Sequence, residues 1–203
     1  MFLNYNSSYL ERMLEQMLDE GDSREVTRFL RAVDVRIDGF RVERAPEWRG
    51  KRVFVRHEVG GKAYELRLSE ESAGTQKLMG LAAYLMIALE RGGTVVVDEL
   101  DAKLHPKLLR YVILLFKDPE VNKSGAQLIF SSQDVSTMRN DVFRRDEIWF
   151  AARGEGEASQ LWSLADIHEA NGNLVSKNAA FDKQYLSGRY GADPYLTRIE
   201  EWD

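Results

Sequence analysis

The residues best suited to chemistry lie in the run TVVVDELDAKLHP, residues 94–106. An apolar strand there delivers two adjacent carboxylates, Asp98 and Glu99, and open α/β sheets place their ligand sites at the carboxyl ends of strands. Such a pair suits nucleotide hydrolysis: the first acid reaches Mg2+, and the second polarises an attacking water. Asp101 follows two residues later, and Pro106 suits the first turn of a helix, where its missing N–H costs little. The same acids equally serve as ordinary companions of a helix N-terminus, favoured by its dipole.

A second cluster is ESAGTQKLMGL, residues 71–81. Ser72, Gly74 and Thr75 form a small polar turn ahead of the apolar run Leu78–Leu89. A glycine permits close backbone approach and the hydroxyls can hydrogen-bond, so the turn can receive an anion. It also reads as a plain N-cap, with Ser72 or Thr75 as the capping residue. A third cluster ends the next apolar strand: QLIFSSQD, residues 127–134, in which Ser131, Ser132, Gln133 and Asp134 leave the sheet on the same edge as Asp98. A polar side chain there can sense a terminal phosphate; by itself the segment also reads as an ordinary strand-to-helix loop.

Three stretches must position these residues. Residues 1–38 read as helical, with an amphipathic stripe of Tyr9, Leu10, Met13, Leu14, Met17 and Leu18, then a second helix from about Arg24 to Ala32 with Val26, Phe29 and Leu30 inward. Residues 39–68 read as a β-hairpin turning at Gly60-Gly61. Arg41, Arg44, Arg49, Lys51, Arg52 and Arg56 give this hairpin a basic face, either a phosphate-backbone patch or a solvated surface that discourages edge pairing.

From Ser69 to the end of the chain, residues 69–203, the pattern is helix, strand, helix, strand, helix, strand. Thr94–Val97 and Leu128–Phe130 are unalternating apolar runs, as in strands buried on both faces of a parallel sheet, with Glu147–Ala151 as the next strand. The expected architecture is α/β: a mostly parallel sheet with flanking helices, plus the N-terminal helical piece and the hairpin. A tail helix is expected over about Asn178–Leu186. Phe181, Tyr185, Tyr190 and Tyr195 are expected in the core or at an interface, and Trp149 and Trp162, in the last strands, in the core.

Composition narrows the classes. The 203 residues are 44% hydrophobic and 30% charged, with a net charge of −5, which is an ordinary globular balance. With no cysteine there is no disulfide scaffold, thiolate nucleophile or Cys-ligated metal, and a reducing cytoplasm fits. The longest apolar run is too short to span a bilayer, and the N-terminus lacks the regions of a secretory signal. His57, His105 and His168 are too far apart in sequence to suggest a local metal site.

In order and spacing, these segments resemble the second half of an ABC-type ATPase head. More narrowly, the chain resembles the AAA-class, ABC-like ATPases of bacterial abortive-infection and phage-defence systems, relatives of the OLD and SMC-like proteins. ESAGTQKL resembles that group's signature motif, TVVVDELDAKLHP its Walker B, D-loop and following Leu-His-Pro, and KNAAFDKQYLSGRYGADPYL (residues 177–196) its C-terminal tail. The resemblance implies an ATPase that uses ATP and Mg2+ across a head-to-tail dimer. In it Asp98 would hold Mg2+, Glu99 would be the general base and Asp101 would face the partner. Ser72, Gly74 and Thr75 would contact the γ-phosphate of a nucleotide held in trans.

Two features depart from the family pattern. Gln133 stands at the switch position, where the family usually has His; it can hydrogen-bond phosphate or water but carries no charge. The sequence also contains no G-x-x-x-x-G-K-[ST], and Gly60-Gly61-Lys62 lies in a hairpin. The expectation is therefore a C-terminal half, or a split subunit, whose P-loop comes from another lobe or chain. A nuclease or toxin partner is implied by analogy, nucleic acid is a possible ligand, and no membrane association is expected. Two other readings stand beside this one: a non-catalytic regulatory or dimerisation module, and a Mg2+-dependent nuclease built on Asp98, Glu99 and Asp101.

Overall fold

The apolar runs that lead into the two polar clusters are neighbouring parallel strands, with Thr94 opposite Gln127 and Val97 opposite Phe130. The computed structural model describes residues 2–3, 23–33, 37–44, 51–153 and 158–192. The chain divides into two units, Met1–Gln133 and Asp134–Asp203. In chain order the first unit holds β1 (Phe2–Leu3), α1 (Ser23–Ala32), β2 (Gly39–Arg44), β3 (Lys51–Val59), β4 (Lys62–Arg67), α2 (Ala73–Arg91), β5 (Thr94–Val97), α3 (Pro106–Lys117) and β6 (Gln127–Phe130). The second holds β7 (Trp149–Arg153), β8 (Ser159–Ser163) and α4 (Phe181–Leu186).

In the first unit, α2 is the central element. It is apolar nearly all round, and Leu78, Met79, Leu81, Ala82, Ala83, Leu85, Ala88 and Leu89 are buried, as an all-apolar helix must be in water. It ends at Gly92, whose φ of 77° suits glycine. Val26, Phe29 and Leu30 of α1 are buried as the periodicity requires, and α1 packs on α2. The strands β1, β5 and β6 form a parallel sheet in the order β1-β5-β6.

The expectation of a mostly parallel sheet needs correction. The parallel sheet has three short strands, whereas β2-β3-β4 and β7-β8 are antiparallel. Local turns account for this: Gly60 and Gly61, at φ 60° and 74°, make the two-residue turn that joins β3 to β4 directly. The expected hairpin is in fact three-stranded, because Phe40 and Val42 alternate with Arg41 and Glu43 to make β2. Residues 1–38 are not wholly helical either, since Phe2 and Leu3 pair with Val96 and Val97. The Tyr9–Leu18 stripe lies outside the described residues.

After β6 the expected helix is replaced by two 3-10 turns, Val135–Thr137 and Arg145–Glu147. Asp134 caps the first of them, accepting a hydrogen bond from Ser136 N at 2.6 Å, and this polar stretch has no apolar period to sustain a longer helix. The strand expected at Glu147–Ala151 is β7, and it pairs with β8 rather than extending the parallel sheet.

Trp149 is 57% exposed, not core, because alternation turns Phe150 inward beside it. Phe150 stacks on Tyr185 at 5.7 Å and lies 5.3 Å from the Tyr190 ring, in a core with Ile148, Leu164, Val175 and Phe181. Trp162 packs against that core, and its indole donates to Tyr190 O. The tail helix starts later than expected, at Phe181, and Tyr195 lies outside the described residues. In β6, Ile129 is 56% exposed, so that strand is not covered on both faces. Among the described residues no helix is long and apolar enough to cross a membrane.

Candidate functional site

One step past the register pair Val97–Phe130, the two parallel strands hand over to Asp98 and Ser131. The ladder continues briefly beyond the strands: Ser131 N donates to Val97 O at 3.1 Å, and Leu100 N to Ser131 O at 3.0 Å. The Ser131 hydroxyl then takes two roles. It donates to Asp98 Oδ1 and accepts from Glu99 N at 2.8 Å. The chain turns sharply there, with Glu99 at φ 49° and Lys103 at φ 63°. Ala102 N donates to Glu99 O at 3.0 Å and Leu104 N to Asp101 O at 2.9 Å. A left-handed non-glycine residue costs on the order of 1–2 kcal/mol and persists only where its surroundings hold it.

Those surroundings come from two sides. From the loop after β6, Gln133 N donates to Asp101 Oδ1 at 3.3 Å. From α2, the opening turn lies directly against the loop, where a Cβ on Gly74 would stand 2.9 Å from Lys103 O. Ser72 caps α2, its hydroxyl accepting from Thr75 N at 3.1 Å and lying 2.8 Å from the Thr75 hydroxyl. One turn further along, Lys77 is only 4% exposed, and its Nζ donates to Glu99 O at 2.7 Å and Ala102 O at 2.6 Å. Burial pushes its ammonium down to about 8, partly offset by the nearby Asp101 and Glu99 carboxylates.

Ser72, Gly74, Thr75, Asp98, Glu99, Asp101 and Gln133 are thus brought to one connected patch of the first unit. Asp98, Glu99 and Gln133 are exposed, and the Glu99 carboxylate makes no hydrogen bond among the described residues. Sequence reasoning passed over Lys77 and gave Ser131 no specific partner. Lys77 was recognisable, because it stands four and eight residues before the buried Leu81 and Leu85 and so falls on the inward stripe of α2. An ammonium on that stripe must find acceptors. Ser131 is visible only once the register of β5 and β6 is known.

The donor set bears on metal chemistry. Among the described residues no three His, Asp or Glu side chains converge as a cage. Asp98 offers one exposed carboxylate beside the Ser131 hydroxyl, which fits Mg2+, an ion that commonly takes one or two protein carboxylates and completes its shell with water and phosphate. A nuclease centre assembled from Asp98, Glu99 and Asp101 finds no support in this geometry. The basic face of β2–β4 is also partly neutralised: Arg41 pairs with Glu65 at 2.8 Å and lies over the Phe54 ring. Arg49 lies outside the described residues.

Residues 3–139, which span the whole patch, match the family described as "AAA domain, putative AbiEii toxin, Type IV TA system". A search among curated proteins found no match. Among solved structures, a chain from work on "ATP-driven dimerization and DNA stimulated activation of SMC ATPases" aligns over 78% of this chain and 89% of its own, at 17% identity and a TM-score of 0.45. An Smc head domain from Pyrococcus furiosus, with an extended coiled coil and bound to the C-terminal domain of ScpA, aligns over 71% of this chain and 34% of its own, at 20% identity and a TM-score of 0.46.

Proposed function

We infer function from one premise: this chain belongs to the AAA-domain family that its residues 3–139 match. That family places it among ATPases, with ATP as substrate and Mg2+ as the accompanying ion. The finer reading is that the chain supplies the hydrolytic half of a composite ATP site. One observation carries it: a single loop holds Asp98, Glu99 and Asp101 between the end of β6 and the opening turn of α2.

In this reading Asp98 holds Mg2+, which when bound would offset charge on the phosphate oxygens. Ser131 orients Asp98 by donating to one carboxylate oxygen. Glu99 takes a proton from the attacking water; its exposed carboxylate is carried on a backbone whose N–H is fixed by Ser131. Gln133 hydrogen-bonds phosphate or water. Ser72, Gly74 and Thr75, with the first N–H groups of α2, receive the γ-phosphate of a nucleotide held by a second subunit. Asp101 faces that subunit across a head-to-tail dimer.

The sequence has no P-loop, and Gly60-Gly61-Lys62 forms the β3–β4 turn, so a P-loop-bearing lobe or subunit must cradle the β- and γ-phosphates. We assign the chain to the abortive-infection and OLD-like group, acting in the cytoplasm beside a nuclease or toxin. By sequence its parts are an N-terminal segment (1–38), a three-stranded antiparallel region (39–68) and a C-terminal ATPase half (69–203). The absent P-loop and the uncharged Gln133 also favour a second reading, a regulatory module that senses nucleotide bound by its partner.

Phosphate release separates the two readings, measured on the chain alone and with the segment or subunit that supplies the P-loop. Silence alone and turnover on reconstitution support the hydrolytic half. Failure to turn over on reconstitution favours the regulatory module, and turnover by the chain alone would contradict the composite site.

A further inference from the structure

We propose that Lys77 is the positioning residue of this site: it fixes the Glu99–Ala102 turn from within, so that the placement of the Glu99 carboxylate depends on how α2 begins. The inference rests on the hydrolytic reading above but concerns a residue to which that reading gives no role. Both flanks of Glu99 are held, its N–H by the Ser131 hydroxyl and its C=O by the Lys77 ammonium. Lys77 also bonds Ala102 O, the far end of the same turn. Without Lys77, the left-handed conformation at Glu99 would retain Ser131 and the Ala102 N–H to Glu99 O bond, with no restraint from α2 on its carbonyl.

Packing alone does not call for a lysine there. The position lies on the buried stripe of α2, where an apolar side chain would avoid the cost of drawing an ammonium out of water. The lysine bonds main-chain carbonyls, which leaves the Asp101 and Glu99 carboxylates available for their own work. Gly74 against Lys103 O is a second link between the same helix turn and the same loop. An anion bound at Ser72–Thr75 that shifts the start of α2 would therefore be felt at Glu99 through two connections, of which Lys77 is the hydrogen-bonded one.

The test compares Lys77→Met, which keeps the length and removes the donors, with Lys77→Arg, which keeps charge and donors. It uses the protein together with the segment or subunit that supplies its P-loop. Amide hydrogen exchange should quicken by about tenfold or more at Ala102 and Leu104 in Lys77→Met, with the amides of residues 81–89 unchanged. A loosened base should lower kcat by roughly 10- to 100-fold while KM for ATP stays within about threefold, and Lys77→Arg should recover most of the loss.

Unchanged exchange in the loop, or unchanged kcat despite faster exchange, overturns the proposal. If Lys77→Met does not fold, Lys77→Arg decides: near-native loop exchange and kcat support the proposal, and their loss overturns it. A wild type without turnover would refute the hydrolytic reading instead, and the exchange result alone would then decide whether Lys77 holds the loop.

Discussion

Replacing Gly74 with alanine tests the contact between α2 and the Glu99–Lys103 loop most simply. The added Cβ would lie 2.9 Å from Lys103 O, where an ordinary contact begins at about 3.4 Å, so something must move by roughly half an ångström. The obstacle is backbone in a left-handed residue, tied down by Leu104 N to Asp101 O, and it cannot swing aside as a side-chain tip would. Two effects oppose each other. Alanine in place of helical glycine gains about 0.4–1 kcal/mol, largely by restricting the unfolded chain. Overpacking costs about 1–3 kcal/mol. The net expectation is destabilisation by about 1 kcal/mol, read as a lower urea midpoint at unchanged slope. Gly39→Ala is the control, since nothing lies within 4 Å of its added Cβ and its backbone is ordinary; it should be neutral or slightly stabilising. A Gly74→Ala variant as stable as Gly39→Ala would refute the close approach of helix and loop.

Three further perturbations probe other contacts of the two units. Lys77 has its folded pKa lowered to about 8, so below that pH it is charged in both the folded and unfolded states. From about 8 to 10.5 the unfolded chain keeps a proton that the folded protein has shed, and stability rises with pH by up to about 1.4 kcal/mol per unit. Urea titrations across that window should show the rise in the wild type and its absence in Lys77→Met. Ser131→Ala leaves Glu99 N without its acceptor and Asp98 without its donor, and should cost about 1–2 kcal/mol in the same assay. In the second unit, Phe150→Ala should cost about 3–5 kcal/mol and Trp149→Ala under about 1, as thermal unfolding would show.

Much of the site was legible because its chemistry is local in sequence. An apolar strand ending in Asp98-Glu99, a helix opened by Ser72 and a proline at the first position of α3 each announce themselves through residue type and spacing. What could not be read depends on pairing between distant segments. Phe2–Leu3 is too short to show a period, and only alignment beside Val96–Val97 makes it a strand. The basic residues between 41 and 56 drew attention as a charge cluster, which hid the alternation of Phe40 and Val42 that builds β2. Trp149 was expected in the core because it lies in one of the last strands, but the neighbouring Phe150 takes that strand's inward face. The inward position of Lys77 can be read from its spacing to Leu81 and Leu85, but its acceptors are main-chain carbonyls of a distant loop, which leave no mark in a sequence.

In the proposed mechanism Glu99 activates water and is not needed to bind nucleotide. It is tested most directly on Glu99→Gln, with the P-loop supplied, by measuring ATP affinity and the single-turnover rate in the same sample. The affinity should stay within about threefold of wild type and the rate should fall by about 100-fold or more. Hydrolysis at the wild-type rate would contradict that mechanism.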